Sequence, residues 1–202
     1  RKGLLYLGTE SSVYVSFNDG DNWLPLQNNM PHSPVHWLVV QEHFNDLVIG
    51  TYGRGFWIMD DITPLQQLTS EVVDSDVHLF AARPAYRFRN TASRESVFDD
   101  QSVGQGPRYG ASINYYLKSA QIDDVTITIL DENDQTIKTL GGSKEPGINR
   151  VMWDLRHEPS RSAVLRTNHD YGPHVDLDSR TQTRPLPAGG SIRPMAIPGI
   201  YT

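Results

Sequence analysis

The chain has 202 residues, of which 38% are hydrophobic and 21% charged, a composition typical of a globular protein with one or two domains. Its formal net charge of −6 argues against binding to a nucleic-acid backbone, which requires clustered Lys and Arg. The sequence has no cysteine and no apolar run of about 18 residues, which excludes disulfides, thiolate metal sites and a predicted membrane-spanning helix.

The first part of the chain alternates short apolar segments with turns. Segments rich in Val, Ile, Leu, Tyr and Trp are separated by Gly, Asn, Asp, Ser and Pro, as in strands joined by tight turns. No crossover helix fits between them, so we expect hairpins and antiparallel sheets. Strands are predicted over 3–9, 13–18, 23–26, 35–42, 46–52 and 55–60.

The following segment, residues 61–80, combines a pattern compatible with a helix and one compatible with a strand. Residues 64–68 are compatible with one helical turn, and residues 77–80 with a closing strand. A polar stretch rich in Arg and Ser then predicts a linker over 89–109. The strongest basic cluster lies around its start, and we expect its side chains to be solvated: Arg83, Arg87, Arg89 and Arg94.

A second region begins near residue 110 and shows period-two alternation. Val125, Ile127 and Ile129 alternate with threonines, which places the three on one face of a half-buried strand. Residues 131–134 predict a turn. Four or five short strands at this spacing favour a β-sandwich. The predicted strands are 112–117, 125–129, 136–140 and 149–155, and the last should direct Val151, Trp153 and Leu155 to one side.

A Pro-rich stretch follows at about 157–198, which we interpret as a surface insertion because its apolar area is small. It contains the one cluster with metal-ligand chemistry: His169, Asp170, His174, Asp176 and Asp178. Imidazole with carboxylate suits zinc, and the aspartates alone suit calcium. Since such a stretch offers little preorganisation, we predict no metal site. Motifs for phosphate, dinucleotide or nucleophilic serine chemistry are absent, and no cofactor is predicted.

A repeat links the strands of the first region. Leu5–Thr9 recurs as Leu47–Thr51, an offset of 42 residues, and each copy continues through a turn into an aromatic strand. A period of roughly 40–50 residues with several short strands is typical of propeller blades. Such arrays need at least three repeats. Since the chain starts without Met and stops in a strand-like segment, 199–202, we expect a piece of a longer protein.

The segment Ser16–Trp23 resembles the Asp-box of bacterial neuraminidase repeats and sortilin-type propellers. That pattern is Ser or Thr, any residue, Asp, any residue, Gly, any two residues and Trp. Asn18 stands where the family usually has Asp, but it also accepts hydrogen bonds from turn amides. Gly20 tolerates a positive φ, and the Trp23 ring covers the turn. These residues, together with Asp19, are the predicted structural Asp-box.

Residues 1–88 as a whole resemble the closing blades of secreted bacterial proteins of the sortilin-like or neuraminidase-repeat type. Residues 110–202, through the segment 149–156, are similar to the Ig-like domain of flagellar-hook-capping proteins. The resemblance implies an all-β chain: a partial propeller with antiparallel blades, the linker, and an Ig-like sandwich that carries the Pro-rich insertion and is truncated at its C-terminus. It also implies an extracellular or periplasmic location.

Asp60 and Asp61 are the most attractive carboxylate pair for glycoside hydrolysis, which needs two carboxylates about 5–9.5 Å apart. Successive side chains on one strand point to opposite faces and do not converge. The repeat aligns the pair with Asn18 and Asp19, so we predict that both stabilise the turn of a degenerate Asp-box. We predict no catalytic residue in this chain.

Three residues are candidates for ligand contact. Successive hairpin turns fall at opposite ends of a meander, so the turn with Tyr52 and Arg54 lies opposite the Asp-box turn. His32, in the connection between the repeats, falls at the same end. Resembling sialidases use the face without Asp-boxes, which implies that these three residues face a ligand. For Arg54 the alternatives are an ion pair with a neighbouring blade, or solvation.

Two functions fit these observations. One is a non-catalytic module for carbohydrate or protein recognition or scaffolding. The other is the accessory part of a glycoside hydrolase whose catalytic carboxylates lie in upstream blades. The expected partners are a polysaccharide or protein and the upstream blades of the same chain. Exposed apolar blade flanks predict poor solubility or self-association of the first region.

Overall fold

A computed structural model describes residues 1–88, 106–121, 123–162, 164–165, 180, 184–185 and 191–202. The fold is all-β with antiparallel sheets, as predicted, and the two described helices have five residues each. The chain divides into two compact units. Unit 1 comprises Arg1–Val125 and Gly142–Trp153, and unit 2 comprises Thr126–Gly141 and Asp154–Thr202.

Two three-stranded antiparallel sheets begin unit 1, and the predicted hairpins of this region are confirmed. Sheet A consists of β1 (Leu5–Gly8), β2 (Val13–Ser16) and β3 (Leu24–Pro25). Sheet B consists of β4 (Val35–Gln41), β5 (Asp46–Thr51) and β6 (Phe56–Met59), with β5 in the centre. Each pairs neighbouring strands in sequence order, which is the meander that short turns produce.

Sheets A and B pack through one apolar core. Val13 of sheet A is completely buried, and Leu47 and Ile49 of sheet B are nearly so. Met30, from the connection between the sheets, and Ile62, which follows β6, complete the cluster. Burying such side chains contributes about 1.5–3 kcal/mol each, so this core is the main stabilising element of residues 1–62.

The repeat is present in the backbone, with one residue of difference between its hairpins. Leu5 pairs with Ser16 in sheet A, and Leu47 pairs with Met59 in sheet B. The offset is therefore 42 residues on the first strand and 43 on the second, because the second turn is one residue longer. The alignment of Asp60 and Asp61 with Asn18 and Asp19 is thus wrong by one position. Asp61 corresponds to Asn18.

Two short helices follow sheet B. The helical turn expected at 64–68 is α1 (Thr63–Gln67), which has Pro64 in its first turn, where its missing N–H costs little. A second helix, α2 (Ser70–Asp74), was not predicted; the Thr69 side chain caps it by accepting a hydrogen bond from the Val72 N–H.

Sheet C completes the strands of unit 1. It has the order β11 (Gly147–Trp153), β8 (Ala111–Leu117) and β7 (Val77–Leu79). The strand expected to close the first region, β7, therefore pairs with β8 and not with sheets A or B. Ser112 and Asn114 lie on one face of β8, and both are buried.

Unit 2 contains the predicted hairpin of the second region. β9 (Thr126–Leu130) pairs with β10 (Thr136–Gly141), and the Asp131 carboxylate accepts hydrogen bonds from the Asn133 and Gln135 N–H groups. Leu130 also exchanges two backbone hydrogen bonds with Thr202. β12 (Val164–Leu165) and β13 (Arg184–Pro185) form a separate pair.

The strand expected over 149–155 ends early. β11 stops at Trp153, and Leu155 adopts φ 56, so the alternation of Val151 and Trp153 does not extend to it. The described residues form no closed propeller, and the Ig-like sandwich stays a prediction. Much of the Pro-rich insertion, including the His169–Asp178 cluster, lies outside the described residues.

Candidate functional site

The Ser16–Trp23 turn is organised by side-chain hydrogen bonds. The fully buried Ser16 hydroxyl accepts from the Gly20 N–H at 2.9 Å and donates to Asn18 Oδ1 at 3.0 Å. Asn18 Oδ1 also accepts from the Asn22 N–H at 3.0 Å. Asp19 and Gly20 have φ 56 and 96, and the Trp23 ring lies over Gly20. An Asn at position 18 thus supplies the acceptor that this turn needs.

The predicted ligand contacts lie where two turns and the connection between the sheets meet. His32 Nδ1 is 3.3 Å from the Ser11 carbonyl oxygen, and the Ser33 hydroxyl donates to the Tyr52 carbonyl at 3.1 Å. Tyr52 is 70% exposed and stacks on His36, with ring centroids 5.5 Å apart. The Arg54 side chain is exposed, and its carbonyl accepts a hydrogen bond from Trp57 Nε1. We call His32, His36, Tyr52 and Arg54 the turn cluster.

Asp61 is the centre of a buried polar network within unit 1. Its Oδ2 accepts hydrogen bonds from the Ser112 hydroxyl and, at 3.0 Å, from Asn114 Nδ2. Its side chain is completely inaccessible to solvent. Its N–H donates to Asp46 Oδ1 at 2.8 Å, which fixes the left-handed backbone at Asp61.

Two arginines hold the network together. Arg150 donates from Nε to Asn114 Oδ1 at 2.8 Å, and from its terminal nitrogens to the carbonyls of Asp60 and Asp61 at 2.8 and 2.7 Å. Arg83 forms an ion pair with Asp46 at 3.0 Å and lies 3.9 Å from Asp61. Such charge-assisted bonds are stronger than bonds between neutral groups.

The expectation of a solvated Arg83 is therefore wrong. Its side chain is 25% exposed, because Asp46 and the Phe44 carbonyl bind its guanidinium. Sequence patterns do not reveal this pairing, since the partners lie 37 and 39 residues away. Arg89 and Arg94 of the same basic cluster lie outside the part of the chain that the structure describes.

The pKa values of the two adjacent carboxyls shift in opposite directions. Burial raises the pKa of Asp61, but hydrogen bonds from Ser112, Thr63 and Asn114 and the Arg83 charge outweigh it, so the pKa is lowered. Burial and then the Asp46 carboxylate raise the pKa of Asp60, and Arg150 and Arg83 offset only part of that rise. Opposite shifts suit acid and base roles in principle. An enclosed Asp61, however, does not reach a ligand.

A concave site not found by sequence reasoning adjoins this network. Two cavities of about 280 and 320 Å³ share the lining residues Phe44, Arg83, Pro84 and Tyr86. We call them together the Tyr86 cleft. Its signal in the sequence is faint, because its aromatic residues come from the β4–β5 turn and from the predicted linker and its flanks.

Aromatic rings dominate the Tyr86 cleft. Tyr86 contacts His43 and Phe44 with ring centroids 5.7 Å away in each case, and Phe88 meets Tyr109 edge-on at 5.0 Å. The Tyr109 hydroxyl is buried, and within the described ranges it has no hydrogen-bond partner. Phe44, Tyr86 and Phe88 are about half exposed, at 43%, 52% and 58%. The cleft therefore offers ring faces and polar atoms to a ligand.

Other classes of site are not found in the described part of the chain. No group of three or more His, Asp or Glu side chains there is arranged to hold a metal ion. None of the helices described there could cross a membrane. The chain matches no family model, no curated protein and no solved structure.

Proposed function

We propose that this chain is a non-catalytic recognition module of a secreted Asp-box propeller protein, and that it binds carbohydrate in the Tyr86 cleft. The observation that carries this proposal is the combination of exposed ring faces with a fixed guanidinium in one concave site. Sugar rings pack on aromatic faces, and polar groups at the rim orient their hydroxyls. Arg83 is held by Asp46, so it loses little freedom when a ligand binds.

The stacked repeat supports the propeller part of the proposal. Sheets A and B are consecutive copies of one unit that pack face to face, as neighbouring blades do. The hydrogen-bonded Ser16–Trp23 turn supports the resemblance to an Asp-box at the level of local geometry. The secreted location rests on that resemblance alone.

The enclosed Asp61 supports a non-catalytic role. Its oxygens are occupied by Ser112, Asn114 and the Thr63 N–H, and its side chain has no solvent access. Glycoside hydrolysis requires carboxylates that reach both sides of the scissile bond. Asp61 accordingly serves the fold, as an Asp-box position does, whereas Asp60 contributes its main-chain carbonyl, which accepts a hydrogen bond from Arg150.

Calorimetric titration of the chain with a panel of neutral and acidic polysaccharides tests the proposal. Tyr86→Ala should abolish the heat of binding, because it removes one of the two aromatic rings, Phe44 and Tyr86, that line both cavities. Tyr52→Ala is the matched control, since it removes an exposed ring from the turn cluster and should leave affinity unchanged. If Tyr52→Ala abolished binding and Tyr86→Ala left affinity unchanged, the ligand would bind at the turn cluster instead.

Two outcomes would contradict the proposal as a whole. One is the absence of binding to every polysaccharide in the panel by a correctly folded chain. The other is the release of reducing ends from any of them, which would show catalysis.

A further inference from the structure

The two cavities of the Tyr86 cleft have walls of different chemistry. The smaller cavity, of about 280 Å³, is lined by Glu42 and by the amide side chains of Asn45 and Gln66. The larger cavity, of about 320 Å³, is lined by Arg108 and by several aromatic rings. One cavity therefore offers a carboxylate and amides, and the other offers a guanidinium among aromatic rings.

The smaller cavity suits a neutral sugar residue. Asn45 and Gln66 hold each other in place, since Asn45 Nδ2 donates to Gln66 Oε1 at 2.8 Å and Gln66 Nε2 donates to Asn45 Oδ1 at 2.7 Å. Each amide oxygen has a second lone pair that can accept a hydrogen bond from a sugar hydroxyl. The exposed Glu42 carboxylate disfavours an anionic group in this cavity, because like charges repel each other.

Arg83 lines both cavities, but its charge is already balanced. Asp46 forms an ion pair with it at 3.0 Å, and the Asp61 carboxylate lies 3.9 Å away. An anionic ligand that approaches Arg83 therefore also meets the carboxylate of Asp46. Arg83 can orient hydroxyl groups, but it does not select an anion.

Arg108 is the contrasting cation of the cleft. It is exposed, and within the described ranges its side chain forms no ion pair and no hydrogen bond. Asp46 is the one carboxylate among the described residues that line the larger cavity, and it is bound to Arg83. Aromatic walls lower the local dielectric constant, which strengthens the attraction between a guanidinium and a carboxylate.

The charge of the whole chain opposes the binding of anions in general. The net charge of −6 repels an acidic polymer, so a preference for such a polymer has to come from a local cation. Arg108 is that cation, and the rings of Phe88 and Tyr109 in the same cavity provide contact area for the sugar that carries the anion.

We propose that the Tyr86 cleft selects a polysaccharide that contains uronic acid. The uronate residue lies in the larger cavity with its carboxylate on Arg108, and a neutral residue of the same polymer lies in the smaller cavity. A planar guanidinium can donate two parallel hydrogen bonds to the two oxygens of a carboxylate. This inference rests on the proposed function, because it names the class of carbohydrate that the same cleft binds.

Calorimetric titration with three acidic polymers, each as the free acid and as its methyl ester, tests the inference. Hyaluronan and chondroitin alternate uronate with neutral residues, and polygalacturonate is the third polymer. Esterification removes the charge and leaves the sugar backbone unchanged. The wild-type chain should bind an alternating polymer about tenfold or more tightly as the acid than as the ester, which is what a charged hydrogen bond contributes.

Arg108→Gln should bind the acid form only as tightly as wild type binds the ester, and its affinity for the ester should be unchanged. Arg108→Lys keeps the charge but not the paired donors, so it should retain only part of the preference. Arg161→Gln is the matched control, since Arg161 is also exposed but belongs to unit 2, and it should keep the full preference. Tryptophan emission identical to wild type shows that each variant is folded.

Two results would overturn the inference and leave the proposed function in place. One is a wild-type chain that binds neutral polysaccharides and binds no acid form more tightly than its ester. The other is an undiminished preference for the acid in Arg108→Gln, which would place the carboxylate elsewhere. The absence of binding to every acidic, esterified and neutral polymer would instead contradict the proposed function itself, and the inference with it.

Discussion

Asp60 and Asp61 are consecutive carboxyls with opposite effects on stability. The pKa of Asp61 is lower in the folded chain than its ordinary value, so the ionised side chain stabilises the fold above pH of about 4. That contribution is lost as the pH falls through the folded value. The pKa of Asp60 is raised, so its contribution is present at low pH and is lost as the pH rises through its folded value.

Asp61→Asn should therefore destabilise the chain at neutral pH. The new amide directs its N–H groups either at the Ser112 and Asn114 donors or at the Thr63 N–H, and it removes the charge that faces Arg83. Breaking a buried charged network typically costs about 3–5 kcal/mol, and we expect a loss near 3 kcal/mol in the free energy of urea unfolding. The difference from wild type should narrow as the pH falls below 4, roughly where a free Asp titrates.

Asp60→Asn is the matched control for this measurement. It removes a carboxylate whose ionised form is disfavoured by burial and by Asp46, so it should leave stability at neutral pH unchanged or slightly higher. A loss equal to that of Asp61→Asn would contradict the assignment of the network to Asp61.

Two buried tyrosine hydroxyls give a second residue-scale comparison. The Tyr6 hydroxyl lies buried without a hydrogen-bond partner among the described residues, and burial raises its pKa to about 12. Tyr115 instead donates to the Ser143 carbonyl at 2.7 Å. Tyr6→Phe should be neutral or stabilising by up to about 1 kcal/mol, whereas Tyr115→Phe should cost about 1 kcal/mol in thermal or urea unfolding. Equal losses of stability in the two variants would indicate that the Tyr6 hydroxyl has a hydrogen-bond partner.

At the scale of elements, the repeat makes a paired prediction about glycine. Gly8→Ala forces a methyl group onto Val35, a β-branched side chain with little freedom to move, and overpacking of this kind costs about 1–3 kcal/mol. Gly50→Ala places the same group 3.4 Å from Trp37 on a face without a covering sheet. Unfolding in urea should show a loss for Gly8→Ala and almost none for Gly50→Ala. Equal losses would show that the face of sheet B that carries Gly50, Trp37 and Phe56 is already covered.

A helix or strand can be predicted from the sequence when the residues that determine it lie close together in the chain. The hairpins β5–β6 and β9–β10 follow from alternation and turn residues within about 15 positions, and both were predictable. Helix α2 has one turn and depends on the Thr69 cap, so periodicity does not reveal it. The pairing of β7 with β8 joins segments more than 30 residues apart, and no local pattern encodes it.

The residues of the candidate site could likewise be predicted only where their partners are close in the sequence. Ser16, Gly20 and Trp23 were recognisable because one short turn contains all their interactions. The Arg150 bonds to Asp60 and Asp61 span about 90 positions, and the Tyr86 cleft combines residues from segments far apart in the chain. Only the folded backbone brings these groups together.

At the scale of the whole molecule, the order of the strands along the chain makes the stability of unit 2 depend on unit 1 more than the stability of unit 1 depends on unit 2. β9 and β10 of unit 2 are inserted between β8 and β11, which pair with each other in unit 1. The Gly142 N–H donates to the Val125 carbonyl at 2.8 Å, so folded unit 1 holds the two ends of the insertion together. Part of the loop-closure entropy of unit 2 is therefore already lost once unit 1 has folded.

Destabilising unit 1 should consequently weaken unit 2, whereas the reverse effect should be small. Ile137→Ala opens a cavity at a buried position of unit 2 and should cost about 2–3 kcal/mol there. All four tryptophans of the chain, Trp23, Trp37, Trp57 and Trp153, belong to unit 1, so their emission reports that unit alone. Hydrogen exchange of the Leu130 and Thr202 amides, which donate to each other's carbonyls, reports the stability of unit 2.

Ile137→Ala should accelerate this exchange and leave the midpoint of the tryptophan unfolding transition unchanged. Asp61→Asn should accelerate the exchange and also lower that midpoint. A tryptophan midpoint that falls equally in the two variants would show that the units unfold as one cooperative body.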